Sequence, residues 1–274
     1  MLHFAVAGVP HSTPAPGGTV EGLKRAHALG ITAMELEWVQ RVPNAPKRME
    51  EIRKTAEELK MVLTVHAPYY VNLNAQDPLK LAASIKRVQA ALSMAELAGA
   101  RSVCVHPAFY LGMDPREAYA NVERATEMIL KDRDKRFPSV NLAYETMGKG
   151  TQFGTLEEVL CLSKKFGLYP CVDTAHMHAR SNGAYNSKKE FKTILDLYAK
   201  YLGKRSLNKV HFHYSGIEYT AKGERRHLPL NESDARWRDF LAVLKEEDIG
   251  GVVVCESPIL EEDTLLLQKT YARI

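Results

Sequence analysis

Three observations predict a single closed (β/α)8 TIM barrel over residues 1–274: eight short apolar runs, helical stretches between them, and a length suited to one such barrel. The runs lie at 3–7, 33–38, 62–67, 102–107, 141–146, 169–174, 209–214 and 252–257. Most are continuously apolar, as in Val62-Leu63-Thr64-Val65 and Val252-Val253-Val254-Cys255, which is what parallel strands covered on both faces require. The 274 residues match a barrel of roughly 250 residues with modest loops. An open doubly wound sheet is the alternative, but no G-x-G-x-x-G follows the first run, as its dinucleotide-binding form would need.

The helices carry their own start and stop signals. Asp77-Pro78 and Asp114-Pro115 each place a capping residue before a proline at the first helical position, and Glu117 follows Asp114 by three. Thr155 with Glu158 and Ser187 with Glu190 repeat the capping-box spacing. After Pro78, the residues Leu81, Ile85, Val88, Leu92 and Ala95 recur in steps of four and three, one apolar stripe that Gly99 can close.

Composition excludes several classes. Hydrophobic residues at 45% and charged residues at 26% argue against a disordered or fibrous chain. The formal charge of +4 would suit a polyanionic partner only if its excess cations were clustered. No apolar stretch reaches spanning length, and Met1 to Gly8 reads as a first strand instead of a signal peptide. Cys104, Cys161, Cys171 and Cys255 form no C-x-x-C pair, so a zinc knuckle is not expected and a reducing, cytoplasmic setting is.

Chemistry is expected at the tails of the runs, because active sites of such barrels form at the C-terminal ends of the strands. His66, His106, Glu145, Asp173, His211 and Glu256 stand there in order, 28 to 45 residues apart. Ionisable groups at the ends of buried strands are costly unless a charge or a metal compensates them. Two positions earlier on the same face lie Thr64, Cys104, Ala143, Cys171 and Val254, mostly small residues that leave room above them. Mixed imidazole and carboxylate donors suit Zn, Mn or Fe better than Mg or Ca. His176, Glu224 and His227 extend the set to nine, enough for more than one ion if Glu145 and Asp173 bridge. His213 shares a face with His211 and rivals it, while His3, His11, His27 and His178 are expected to be structural or on the surface.

These segments resemble the endonuclease IV family of abasic-site DNA repair enzymes. The resemblance rests on His66-Ala67-Pro68-Tyr69-Tyr70-Val71-Asn72-Leu73, Val105-His106-Pro107, the run from Glu145 to Gly154 (E-T-x-G-x-G-T-x-x-G), Asp173-Thr174-Ala175-His176, Val210-His211-Phe212 and Glu256-Ser257-Pro258. It implies one metal on His66, His106 and Glu145, a second on Glu145, Asp173, His211 and Glu256, and a third on His176 and His227. The family's aspartate two positions before that last histidine is Arg225 here, and Glu224 is the nearest carboxylate. His211 is preferred to His213 because H-x-x-x-S ending at Ser215 suits the family pattern.

The resemblance further implies zinc, in three ions with Mn or Fe as alternatives, and hydrolysis 5′ to an abasic nucleotide in double-stranded DNA, with Glu145, Asp173 and Glu256 as candidate catalytic residues. Gln40, Arg41, Tyr69, Tyr70 and Asn72 are the DNA-binding candidates, and the glycines of 148–154 are expected to offer backbone N–H groups to phosphate. A monomer without protein partners is expected. Two other readings compete: a metal-dependent sugar isomerase or epimerase, which needs only the quartet Glu145, Asp173, His211 and Glu256, and a non-catalytic DNA-damage binding protein.

Overall fold

The computed structural model describes residues 1–274. Its barrel strands are β1 (Leu2–Ala7), β2 (Ala33–Glu37), β3 (Val62–His66) and β4 (Ser102–Val105) in the first half. A short β5 (Ala108–Phe109) follows, then β6 (Asn141–Tyr144), β7 (Gln152–Phe153), β8 (Cys171–Asp173) and β9 (Val210–Tyr214). A hairpin of β10 (Gly216–Thr220) and β11 (Gly223–Leu228) precedes the last barrel strand, β12 (Gly251–Cys255).

Eight of these form one sheet in the order β6-β4-β3-β2-β1-β12-β9-β8, with every neighbouring pair parallel. A bridge between Glu145 and Cys171 joins the two edge strands and closes the barrel. Closure removes the free edges that an open sheet would expose. The two-stranded β5–β7 and β10–β11 ribbons sit in the loops after β4, β6 and β9, on the end where the strands terminate.

The helices begin and end as their local chemistry dictates. Asp77 and Asp114 each accept a backbone N–H two residues on, at 2.8 Å, and Thr155 with Glu158 forms a reciprocal capping box. Ser187 departs from expectation: its hydroxyl bonds the Glu190 carboxylate, and no side-chain cap reaches the backbone. The Pro78–Ala98 helix buries Ile85, Val88, Leu92 and Ala95 and stops at Gly99, which takes the left-handed conformation at φ 71°. The stripe read from the sequence is thus the buried face.

Inside the barrel the side chains stack in layers. Ala5, Ala33, Val252 and Val254 pack together near one end, and Cys104, Ala143 and Cys171 fill the middle. Large apolar residues such as Leu63, Val65, Phe212 and Val253 point outward to the helices instead. The interior therefore keeps its volume for the polar groups carried by the strand ends.

Candidate metal centre

Glu145 is the hub. It follows β6 and is fully buried, and its Oε2 faces His106 Nε2 at 2.9 Å and His66 Nε2 at 3.5 Å. Its Oε1 faces His213 Nδ1 at 3.2 Å and His176 Nδ1 at 3.3 Å. Asp173 closes β8 and accepts the His176 backbone N–H at 2.7 Å. Glu256, just past β12, lies 3.2 Å from His213 Nδ1 and 3.9 Å from His227 Nε2. Eight of the nine expected donors thus converge at the C-terminal mouth, seven in adjoining clusters and His106 against Glu145.

The ninth is His211, which the structure sets apart from the other eight, in a group with Glu35 and His213. The ladder pairs Asp173 with His213 and Cys171 with His211, so His213 shares the layer of Glu145, Asp173 and Glu256 while His211 lies one layer deeper. Strand alternation puts both imidazoles inside; height along the strand separates them. His211 bonds Ser102 Oγ through Nδ1 at 2.9 Å and faces Glu35 Oε2 through Nε2 at 3.0 Å.

Glu35 and Glu37 were not anticipated. Glu35 is fully buried and lies 2.9 Å from His213 Nε2, an arrangement that leaves His213 Nδ1 free to face the carboxylates above it. A column Ser102–His211–Glu35–His213 thereby runs up the barrel into the donor cluster. The signal was present in Met34-Glu35-Leu36-Glu37. Such alternation suggests a half-exposed strand, yet in a parallel barrel both faces are covered, so both carboxylates must point inward.

Glu224 completes the third cluster. Its Oε2 lies 3.6 Å from His176 Nε2, and it groups with His176 and His227. The cause is a β-bulge: Glu218 pairs with Arg226 and Tyr219 with Glu224, leaving Arg225 as the extra residue. One inserted residue reverses the facing of everything before it. Glu224 therefore shares the His227 face, while Arg225 and Arg226 both turn outward to Glu218 at 2.7 and 2.6 Å.

Room for Glu224 is made by Gly148. A Cβ built there would stand 2.7 Å from Glu224 Oε2 and 2.8 Å from its Cβ. Gly148→Ala is expected to displace Glu224 and remove about one bound metal equivalent, leaving the ions on the Glu145 side in place. Elemental analysis checks this, and full metal content in the variant would show that Glu224 holds none.

Part of the 148–154 loop is braced internally. The N–H groups of Met147, Lys149, Gln152 and Gly154 bond within the loop or to Glu158, and Arg180 pins the carbonyls of Lys149 and Gln152 at 2.8 and 2.9 Å. Of the loop's glycines, Gly154 spends its N–H on Glu158, while those of Gly148 and Gly150 take no partner within the chain. His178 bonds Asp234 away from the cluster, as expected of a structural histidine.

The electrostatics separate the carboxylates. Burial favours the neutral form of Glu145, but the imidazoles of His106 and His213 and hydrogen bonds from His106 and His176 outweigh it and hold it well below the usual range. Asp173 goes the opposite way, raised by burial and by the charges of Glu256 and Glu145 against the pull of His176. His176 is raised because Asp173, Glu145 and Glu224 overcome its burial, and His213 because Cys171 together with Glu256, Glu35 and Glu145 does the same. Asp173 Oδ2 and both Glu35 oxygens lack a hydrogen-bond donor in good geometry. A divalent cation would satisfy such unpartnered buried acceptors, and the nitrogen and oxygen donors fit Zn, Mn or Fe.

Glu37 ends β2 beside this cluster with Oε1 unpartnered, and burial pushes its carboxyl up to about 8. Folded protein then holds a proton that the unfolded chain has already released, so stability falls as pH rises from about 4.5 towards 8. In chelator-treated protein, Glu37→Gln is expected to flatten that fall and raise the melting temperature at pH 8.5 by on the order of 5 °C. Thermal melts across pH 5 to 9 check it; parallel curves for the two proteins would refute it.

Around the mouth, Tyr69 and Tyr70 are 48% and 62% exposed. The Tyr69 ring packs 5.2 Å from that of His66 and 5.1 Å from that of His106. Tyr70 Oη reaches Gln40 Oε1 at 3.4 Å, and Gln40 and Arg41 are exposed on the adjoining loop. Asn72 differs: its Oδ1 accepts the N–H groups of Asn74 and Phe109 at 3.0 and 3.3 Å, which makes it a loop brace. Phe109 and Leu111, 41% and 55% exposed, extend the apolar rim and were missed. No periodic pattern marks residues on a two-residue strand and the turn that follows it.

Comparison with known proteins agrees with this architecture. The family described as xylose isomerase-like TIM barrel matches residues 23–270. An uncharacterized protein of Methanocaldococcus jannaschii is 38% identical over 271 residues, 99% of this chain and 97% of that protein. A probable endonuclease 4 of Shouchella clausii is 26% identical over 226 residues, 76% of this chain and 75% of its own. Among solved structures, a D-tagatose 3-epimerase-like protein superposes with TM-score 0.75 at 17% identity, covering 99% of this chain and 97% of that one. Endonuclease IV from Thermus thermophilus superposes with TM-score 0.71 at 21% identity, covering 99% and 98%. No helix is long and apolar enough to cross a membrane. The chain belongs to the xylose isomerase-like TIM-barrel family of enzymes.

Proposed function

We propose that the chain is a metal-dependent endonuclease that hydrolyses the DNA phosphodiester 5′ to an abasic site, leaving a 3′-hydroxyl and a 5′-deoxyribose phosphate. The observation that carries this reading is the joining of three donor clusters through Glu145, with His176, Glu224 and His227 added to the quartet Glu145, Asp173, His213 and Glu256. A single-ion isomerase or epimerase has use for the quartet alone. Three zinc ions suit the donors, with manganese or iron as alternatives. When bound, such ions would neutralise phosphate charge and lower the pKa of a water towards 7.

The chain's own residues have distinct tasks in this reading. Glu145 offers one carboxylate oxygen to the His66 and His106 side and the other to the His213 and His176 side. His176 Nδ1 faces the Thr146 carbonyl at 3.0 Å, which turns Nε2 towards Glu224. Tyr69, Tyr70 and Arg41 present aromatic and cationic surface where a duplex would meet the mouth, and a missing base lowers the cost of turning the nucleotide out of the stack. One catalytic domain acting as a monomer in the cytoplasm fits this reading, and the free cysteines suit a reducing compartment.

The test is a duplex carrying one tetrahydrofuran abasic analogue. Metal-loaded protein is expected to nick it immediately 5′ to the analogue and to lose that activity with chelator. An intact strand, from protein shown to carry at least two metals, would overturn the proposal. Turnover of a ketose by the same preparation would put the epimerase reading in its place, and tight lesion binding without incision would favour the non-catalytic one.

A further inference from the structure

The opposite end of the barrel holds a second cavity, of about 510 Å³. Its walls are the first residues of the strands, including Arg101 and Ser102 before and in β4, Asn141 of β6, and Lys209 and Val210 at β9. The layers Ala5, Ala33, Val252, Val254 and Cys104, Ala143, Cys171 lie between it and the metal donors. The cavity is therefore not an extension of the catalytic mouth.

Its lining is cationic and contains no acid. Arg101, Arg133 and Lys209 supply three positive charges and His211 an imidazole edge, with Asn141 and Tyr169 between them. Arg101 stands exposed at the cavity mouth, and the packing around it depresses its affinity for a proton, since no carboxylate stands near enough to restore it. Lys209 lies over the Tyr169 ring at 5.5 Å and likewise has no acidic partner. At the floor, Thr64 Oγ1 is buried without a hydrogen-bond partner. Unpaired cations around a hollow are an anion site in waiting, because convergent guanidinium and ammonium groups bind phosphate by charge-assisted hydrogen bonds.

We propose that this basal cavity binds an organic diphosphate of the nucleoside diphosphate type. The cationic rim demands two or more negative charges. The volume lies within the range of small-molecule sites and far exceeds that of a bare phosphate ion, so the ligand has a body as well. Tyr169 and Thr64 offer that body a ring face and a hydroxyl. This assignment does not rest on the endonuclease reading, because its cationic residues lie apart from the metal centre and only the Ser102–His211 pair reaches it, through Glu35.

Isothermal titration of metal-loaded protein with ADP, inorganic phosphate and adenosine tests it. Saturable ADP binding is expected, with both partial ligands at least 10-fold weaker. The double variant Arg101→Gln, Lys209→Gln should weaken ADP at least 10-fold, or about 1.4 kcal/mol, with metal content and melting temperature unchanged. Arg133→Gln, on a short surface helix, gives the same readout with little risk to folding. Glu145→Gln should bind ADP as wild type does. The proposal is overturned if ADP does not saturate up to 5 mM, if Glu145→Gln alone abolishes binding, if the double variant binds normally, or if phosphate or adenosine matches ADP.

Discussion

Glu145→Gln is expected to lower incision of the abasic duplex by about 10³-fold or more and to reduce bound metal on both sides of the residue. The substitution keeps shape and most hydrogen bonding but removes the negative charge that four imidazoles face, at 2.9 to 3.5 Å. A metal's charge stabilisation of a phosphoryl transition state is several kcal/mol, and about 4 kcal/mol corresponds to a factor of about 10³. The fold should survive, since Glu145 also closes the barrel through backbone bonds, its N–H to Val105 and the Thr146 N–H to Cys171, each at 3.1 Å. Incision kinetics, elemental analysis and a thermal melt are read together. Near-normal incision with full metal content would remove Glu145 from the centre of the site. Loss of incision with full metal content would instead limit its role to chemistry on the substrate.

The barrel was legible because its signals are local. Continuous apolar runs have no other comfortable setting than a doubly covered parallel strand, and the Asp-Pro caps and the Gly99 stop punctuate the helices between them. Strand-end histidines and acids were legible for the same reason: the position of a residue at the tail of a run fixes its height in the barrel. Legibility ended where height or facing depended on another strand. His211 and His213 are equivalent within β9, and only the ladder to β8 ranks them. Arg225 looked like a broken site because the family's aspartate position was counted back two residues from His227, across a bulge that the sequence does not mark. Glu35 was overlooked because a carboxylate in mid-strand is ordinarily a solvent-facing residue, and its partners come from a strand on the far side of two others.

That same pair of histidines provides the sharpest division between ligand and support. His213→Asn is expected to remove a donor shared by Glu145, Asp173 and Glu256, with loss of about one metal equivalent and a fall in incision of about 10³-fold, by the reasoning applied to Glu145. His211→Asn touches the site only through Glu35, whose other oxygen holds His213 Nε2. Outer partners of metal ligands are worth roughly 10- to 100-fold in affinity or activity, so this variant should keep its metal at saturating concentration and lose activity within that smaller range. Glu35→Gln should resemble His211→Asn, because Gln can still meet one imidazole but cannot hold both as a carboxylate does. Metal titrations followed by incision kinetics on the three variants separate the cases. Should His211→Asn lose the metal while His213→Asn retains it, the assignment of ligand and support along β9 would have to be exchanged, and with it the height of the metal layer in the barrel.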